Sequence, residues 1–141
     1  MRRLGQSLSF EVMRRYSESV LRRFYKPRYA GKMDDATVSA DVGNPACGGT
    51  VTLFLRIDKG IVAAISYLAC GCPALVACCE ALCELVEGKD LDTAWEVTDE
   101  AVVAHLGGLP LQKVHCSAIA AVALHKAIWR YVFSDFEEEH K

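Results

Sequence analysis

The sequence predicts an α+β domain in which a three-stranded antiparallel sheet is packed against helices. Two runs rich in β-branched and aromatic residues, 50–57 and 61–68, flank the turn Asp58-Lys59-Gly60 and read as a hairpin. Residues 36–42 alternate weakly between apolar and polar side chains and supply a third strand. Segments of helical periodicity precede and follow these strands in the chain, so helices can close over a single sheet.

Taken in order, Val12, Met13, Tyr16, Val20 and Phe24 recur at helical spacing across residues 9–25, and Lys26-Pro27 ends that helix. A loop over 28–35 leads to the first strand, and a glycine-rich loop around Cys47 leads to the hairpin. The hairpin returns the chain from Cys47 towards Cys70, and a meander with both thiols at one end of the sheet is the simplest geometry. Pro73 suits the first position of a helix over 73–86, and Gly88 suits its C-terminal cap. Asp90 opens a short helix and Thr98 caps another that runs to Leu106. An irregular stretch over 107–113 then approaches an alanine-rich helix over 116–133, which is expected to be largely buried. The division expected is a helical extension over 1–15, a domain over 16–134 and an acidic tail over 135–141.

Composition narrows the function. The chain has 141 residues, a length suited to one core, and 52% hydrophobic against 24% charged residues is a globular balance. A net charge of -2 speaks against nucleic-acid binding, which needs a clustered excess of Lys and Arg. The basic residues near the start, Arg14, Arg15, Arg22, Arg23, Lys26 and Arg28 among them, read as solvated charge. No apolar run reaches the roughly 18 residues that would cross a bilayer. Seven cysteines, an odd number without a secretory signal, point to a reducing cytoplasmic setting and to metal chemistry in place of disulfides. A glycine-rich phosphate loop, a nucleophile elbow and a paired-carboxylate motif are all missing, so a carrier or scaffold is expected and not an enzyme.

Three of the cysteines lie at element boundaries. Cys47 sits in Asn44-Pro45-Ala46-Cys47-Gly48-Gly49, Cys70 in Ala69-Cys70-Gly71-Cys72-Pro73, and Cys116 in Lys113-Val114-His115-Cys116. Glycine and proline keep bulk away from the first two. The second and third are expected to open helices, where unpaired amides and the macrodipole favour thiolate over thiol.

These motifs resemble, in order and approximate spacing, the three cysteine motifs of the U-type iron–sulfur assembly scaffolds, IscU and the N-terminal domain of NifU. Upstream, Tyr16-Ser17-Glu18 and Pro27-Arg28-Tyr29-Ala30-Gly31 resemble that family's opening helix and the loop after it. The resemblance covers roughly 16–133 and implies the SufE/NifU-like scaffold fold. It also implies a function: sulfur received from a cysteine desulfurase, iron added, and a cluster, [2Fe–2S] foremost, passed to recipient apo-proteins. An iron donor, a chaperone and a homodimer or higher oligomer are further implied partners, although Leu109-Pro110-Leu111-Gln112-Lys113 matches the chaperone-binding segment at only three of five positions. By resemblance Cys47, Cys70 and Cys116 are the ligands and sulfur-acceptor candidates. Where the family carries an aspartate that helps to hold or release the cluster, this chain has Gly49. The fourth ligand is left open among His115, Cys72, a second chain and a small thiol. Lys113 resembles the family's lysine before His-Cys and would lower a thiol pKa or guide a sulfur donor.

Two other readings use the same residues: a Zn2+-dependent sulfur relay, since zinc accepts such a tetrahedral set, and a stable metal-bound sensor or interaction module in which Gly49 prevents hand-over. Cys72, Cys79 and Cys83 share a helical face and could form a second soft-metal site. For Cys78, Cys79 and Cys83 the stronger expectation is that they are small buried hydrophobes. His105, His125 and His140 read as helix-surface residues.

Overall fold

The structure, a computed structural model, describes residues 10–44 and 49–134. The first helical segment is split. α1 (Phe10–Arg14) stops short of Ser17, whose hydroxyl accepts a hydrogen bond from the Val20 amide at 3.2 Å and starts α2 (Glu18–Tyr25). The expected continuous helix over 9–25 gives way because a serine in extended conformation caps a new helix better than it continues an old one.

β1 (Val38–Asn44), β2 (Gly49–Asp58) and β3 (Ile61–Cys70) form an antiparallel sheet in the order β1-β2-β3. The first strand lies two residues further on than local alternation suggests. Its ends are set by pairing with β2, from Val38 opposite Leu55 to Asn44 opposite Gly49. Ala40, Leu53 and Tyr67 lie in register on the buried face, together with Val51, Leu55 and Ile65. α3 (Pro73–Val86) packs on β3, and α6 (His115–Val132) crosses β1 and β2. Between them run α4 (Leu91–Trp95), α5 (Asp99–Leu106) and a single 3-10 turn, Leu111–Lys113. Gly88 and Gly107 adopt φ of 82° just past α3 and α5, a left-handed conformation that costs glycine little. α6 is buried on one side only, because Val122, Trp129 and Val132 are exposed. Among the described residues no helix is long and apolar enough to cross a membrane.

Polar ties fasten the layers. The Glu80 side chain on α3 is 1% exposed, and its carboxylate accepts three hydrogen bonds. These come from the Tyr67 hydroxyl on β3 at 2.7 Å, the Arg28 amide at 2.8 Å and the Tyr29 amide at 3.0 Å. Burial, and then the bond to Glu80, pushes the Tyr67 phenol far above its ordinary range. One turn further along α3, Glu84 accepts from Arg23 Nε at 2.9 Å and Nη2 at 2.8 Å, and His105 Nε2 lies 2.8 Å from it. Arg23 and His105 are therefore tied between helices and are not merely solvated. The local stretch around each carries no sign of this, because the partner is 61 or 21 residues away.

Glu80→Ala is expected to destabilise the fold by about 3 kcal/mol or more, since it strands two buried amides and a hydroxyl. Urea unfolding followed by circular dichroism measures this, and a loss under about 1 kcal/mol would show that the three bonds contribute little.

Candidate functional site

The end of β3 and the starts of α3 and α6 meet at one place. Gly71 turns the chain from the strand into the helix. A Cβ there would lie 2.8 Å from Leu75 Cδ2 and 3.4 Å from the Gly49 α-carbon, so the crossing has no room for a side chain. Pro73 occupies the first helical position, which makes Cys72 the N-cap, with φ -81° and ψ 167°. Cys116 lies in the first turn of α6 and is 2% exposed. The two helix starts bring Cys72 Sγ to 3.7 Å from Cys116 Sγ, and His115 Nε2 lies 3.9 Å from the latter.

The surroundings favour an anion at this pair. The Cys72 thiol is pulled down to about 5, first by its hydrogen bond with Cys116. The Leu75 amide, the Lys113 ammonium and the Ala74 amide add to this, against the opposing effect of burial. Cys72 makes no side-chain capping bond of ordinary geometry, so the amides act on its sulfur as oriented dipoles. Beside it opens a cleft of about 950 Å³ lined by Arg15, Tyr16, Cys72, Pro73, Pro110, Gln112 and Lys113. Burial, followed by the negative charge of Cys72, pushes the Tyr16 phenol up.

The sequence-based expectations divide here. Cys47 lies outside the described residues; the residues on either side of its loop, Asn44 and Gly49, pair across β1 and β2, and Gly49 is buried next to Gly71. Cys116 and His115 open α6 beside Cys72, and the Lys113 ammonium acts on the Cys72 thiol. Cys70 is not the thiol that meets Cys116. It is exposed at the last position of β3, opposite Thr50 and on the sheet face away from Tyr67 and Ala69. Pro73 fixes the helix start one residue after Cys72, so Cys72 receives the amides and the partner thiol, while Cys70 ends the strand two residues before it. That signal was present in the sequence, whereas the approach of Tyr16 and Arg15 from the helix break had none. Cys78, Cys79 and Cys83 are buried core residues; burial pushes Cys78 up to about 12 and the other two well above their ordinary value, so they are protonated thiols and not a second metal site. Among the described residues no three His, Cys, Asp or Glu side chains are arranged to hold a metal ion.

Fold and site together define a class of thiol-bearing α+β domain, in which a small sheet presents cysteines at one end beside a cationic cleft. Residues 15–138 match the model of the NifU-like N terminal domain family, and the chain belongs to that family, the IscU/NifU type of scaffold. It is 40% identical over 116 residues to the iron-sulfur cluster assembly scaffold protein IscU 1 of Archaeoglobus fulgidus, covering 82% of this chain and 76% of the relative. It is 34% identical over 127 residues to the scaffold protein IscU of Aquifex aeolicus, covering 89% and 78%. In fold it is similar to the N-terminal NifU-like protein of Brucella abortus, with a TM-score of 0.70 at 16% identity, over 83% of this chain and 94% of that one.

Alkylation of Cys72 by iodoacetamide is expected to rise with pH through a midpoint near 5 instead of the roughly 8.5 of a free cysteine. Cys116→Ser should raise that midpoint more than Lys113→Ala does. Site-resolved mass spectrometry reads the rates, and a midpoint near 8.5 in the native protein would contradict the assignment. Because the folded thiol loses its proton more easily than the unfolded one, the stability this provides is complete above about pH 8.5 and disappears as pH falls through about 5.

Proposed function

We propose that this protein is a scaffold on which an iron–sulfur cluster is assembled and from which it passes to apo-proteins, the cluster being cargo. The observation that carries this reading is the 3.7 Å approach of Cys72 and Cys116 at two helix starts. Two sulfurs so placed can grip one iron after a small separation, and thiolate is the form that binds it. In this reading Cys116, Cys47 and the thiols on either side of Gly71, Cys70 and Cys72, are the candidate sulfur ligands, and His115 supplies a nitrogen. A [2Fe–2S] unit needs four such terminal ligands. Sulfur arrives as a persulfide from a cysteine desulfurase, iron joins it, and the protein catalyses no turnover of its own. The likeness to relatives named as assembly scaffolds supports the same conclusion.

Zinc would suit the same donors, so the decisive measurement counts sulfide as well as metal. Anaerobic protein supplied with ferrous iron and sulfide is expected to take up both in equal amounts. Cys47→Ala and Cys116→Ala should each lose most of that uptake, and comparing Cys70→Ala with Cys72→Ala names the ligand beside Gly71. Metal bound without labile sulfide would favour a zinc relay, and full uptake by Cys72→Ala would remove Cys72 from the ligands.

Hand-over is tested separately. The loaded protein is expected to convert an apo-ferredoxin within minutes, as followed by circular dichroism. A cluster that stays in place until Gly49→Asp is introduced would identify a stable metal-bound module instead.

A further inference from the structure

The cysteines among the described residues differ in whether solvent and a second thiol can both reach them. Cys78, Cys79 and Cys83 are buried, and Cys70 is exposed at the end of β3. Cys72 combines the two conditions. It is half-buried at the wall of the cleft that also holds Arg15 and Lys113, and its Sγ lies 3.7 Å from Cys116 Sγ. A disulfide needs these sulfurs closer by about 1.7 Å, which modest changes of side-chain torsion provide. The positions allow such changes. Cys72 precedes the first residue of α3 and makes no side-chain capping bond, and Cys116 is the second residue of α6. No helix interior has to open. The two helices pack against each other, and the ties of Glu80 and Glu84 hold α3 in place while the thiol turns.

We infer that Cys72 and Cys116 are a redox modification site, a thiol pair that hydrogen peroxide converts into a reversible disulfide and thereby closes to iron. The chemistry rests on the thiol contact, and the consequence rests on the scaffold reading. In the first step the Cys72 thiolate attacks one oxygen of the peroxide. A sulfur–oxygen bond forms, the oxygen–oxygen bond breaks and hydroxide leaves, so that Cys72 becomes a sulfenic acid, oxidised by two electrons as the peroxide is reduced. Arg15 and Lys113 offer positive charge to the departing hydroxide, which takes up the proton Cys72 released. In the second step the Cys116 thiolate attacks the Cys72 sulfur. A sulfur–sulfur bond forms, the sulfur–oxygen bond breaks, and the hydroxide that leaves takes up the proton Cys116 released. Two thiols and one peroxide give one disulfide and two waters. A dithiol reverses the change by two thiol–disulfide exchanges. Thiolate is the form that binds iron, so the disulfide withdraws both sulfurs at once. Cys116 is a ligand whether Cys70 or Cys72 completes the set, and the oxidised site excludes the cargo in either case.

The test treats the full chain, reduced and free of metal, with an equimolar amount of hydrogen peroxide, blocks remaining thiols with N-ethylmaleimide, and maps peptides by mass spectrometry without reduction. A peptide cross-linked between Cys72 and Cys116 is expected in most chains and should disappear on treatment with dithiothreitol. Uptake of ferrous iron with sulfide should fall by about tenfold or more in the oxidised protein and return after dithiothreitol. In Cys116→Ser, dimedone should trap the sulfenic acid on Cys72. In Cys72→Ser, oxidation of Cys116 should slow by about tenfold or more, and Cys70→Ser should still form the cross-link. Wild-type Cys116 joined to Cys47 or Cys70 would overturn the assignment. So would Cys72 carried on to sulfinic acid while Cys116 still reacts with N-ethylmaleimide. Cross-linked protein that takes up iron and sulfide as the reduced protein does would overturn the closure. If the reduced wild type takes up neither, the scaffold reading fails, and the cross-linked peptide still decides the thiol pair.

Discussion

The Glu80 carboxylate holds together the parts that position the site. Its three bonds join α3 to β3 through Tyr67 and to the loop after α2 through Arg28 and Tyr29. A carboxylate that is 1% exposed is tolerated only because those donors replace its water shell. Glu84, one turn along, ties α2 through Arg23 and reaches α5 through His105, so α3 is fastened along its length. The first residue beyond its N-terminus is Cys72. The placement of that thiol is thus inherited from polar ties made on the second and third turns of the helix.

Burial, not residue type, separates the reactive thiol from its neighbours on the same helix. Cys78, Cys79 and Cys83 share α3 with the Cys72 cap, yet burial drives all three upward while Cys72 is drawn down. The N-cap position supplies amides that lack intrahelical partners, and the start of α6 supplies a second thiol. Inside α3 the same amides are already bonded, so a buried cysteine there is a small apolar side chain.

Much of the architecture is legible in local pattern. The hairpin, the third strand, the helix Pro73–Val86 and the Thr98 cap follow from alternation and from proline, glycine and threonine at their proper positions. What local pattern cannot supply is pairing over distance. The split at Ser17 depends on one side chain outcompeting helical continuity, and the partners of Arg23 and His105 are on another helix. The Cys-Gly doublet draws attention to Cys70, whereas proline at the first helical position makes Cys72 the thiol that meets Cys116. The cysteine motifs bring the chain to this end of the sheet, and helix-cap geometry places Cys72 against Cys116.

The close contact between Gly71 and Gly49 bears on what the site can release. Gly49 pairs with Asn44 at the mouth of the loop between β1 and β2 and lies against the turn that leads to Cys72. With glycine there, position 49 supplies no side-chain oxygen, and the donors proposed for the cargo are sulfur and imidazole. Such donors hold iron more tightly than a carboxylate does, and they exchange by protonation or by attack of another thiol. Lys113 and Arg15 at the cleft act on the first route by favouring the thiolate or an incoming anion. The second route needs a thiol that can approach from solvent, and an open cleft lies beside Cys72. For the scaffold proposed above, hand-over would then be ligand exchange at sulfur, driven by the recipient, in place of dissociation from a weak oxygen donor.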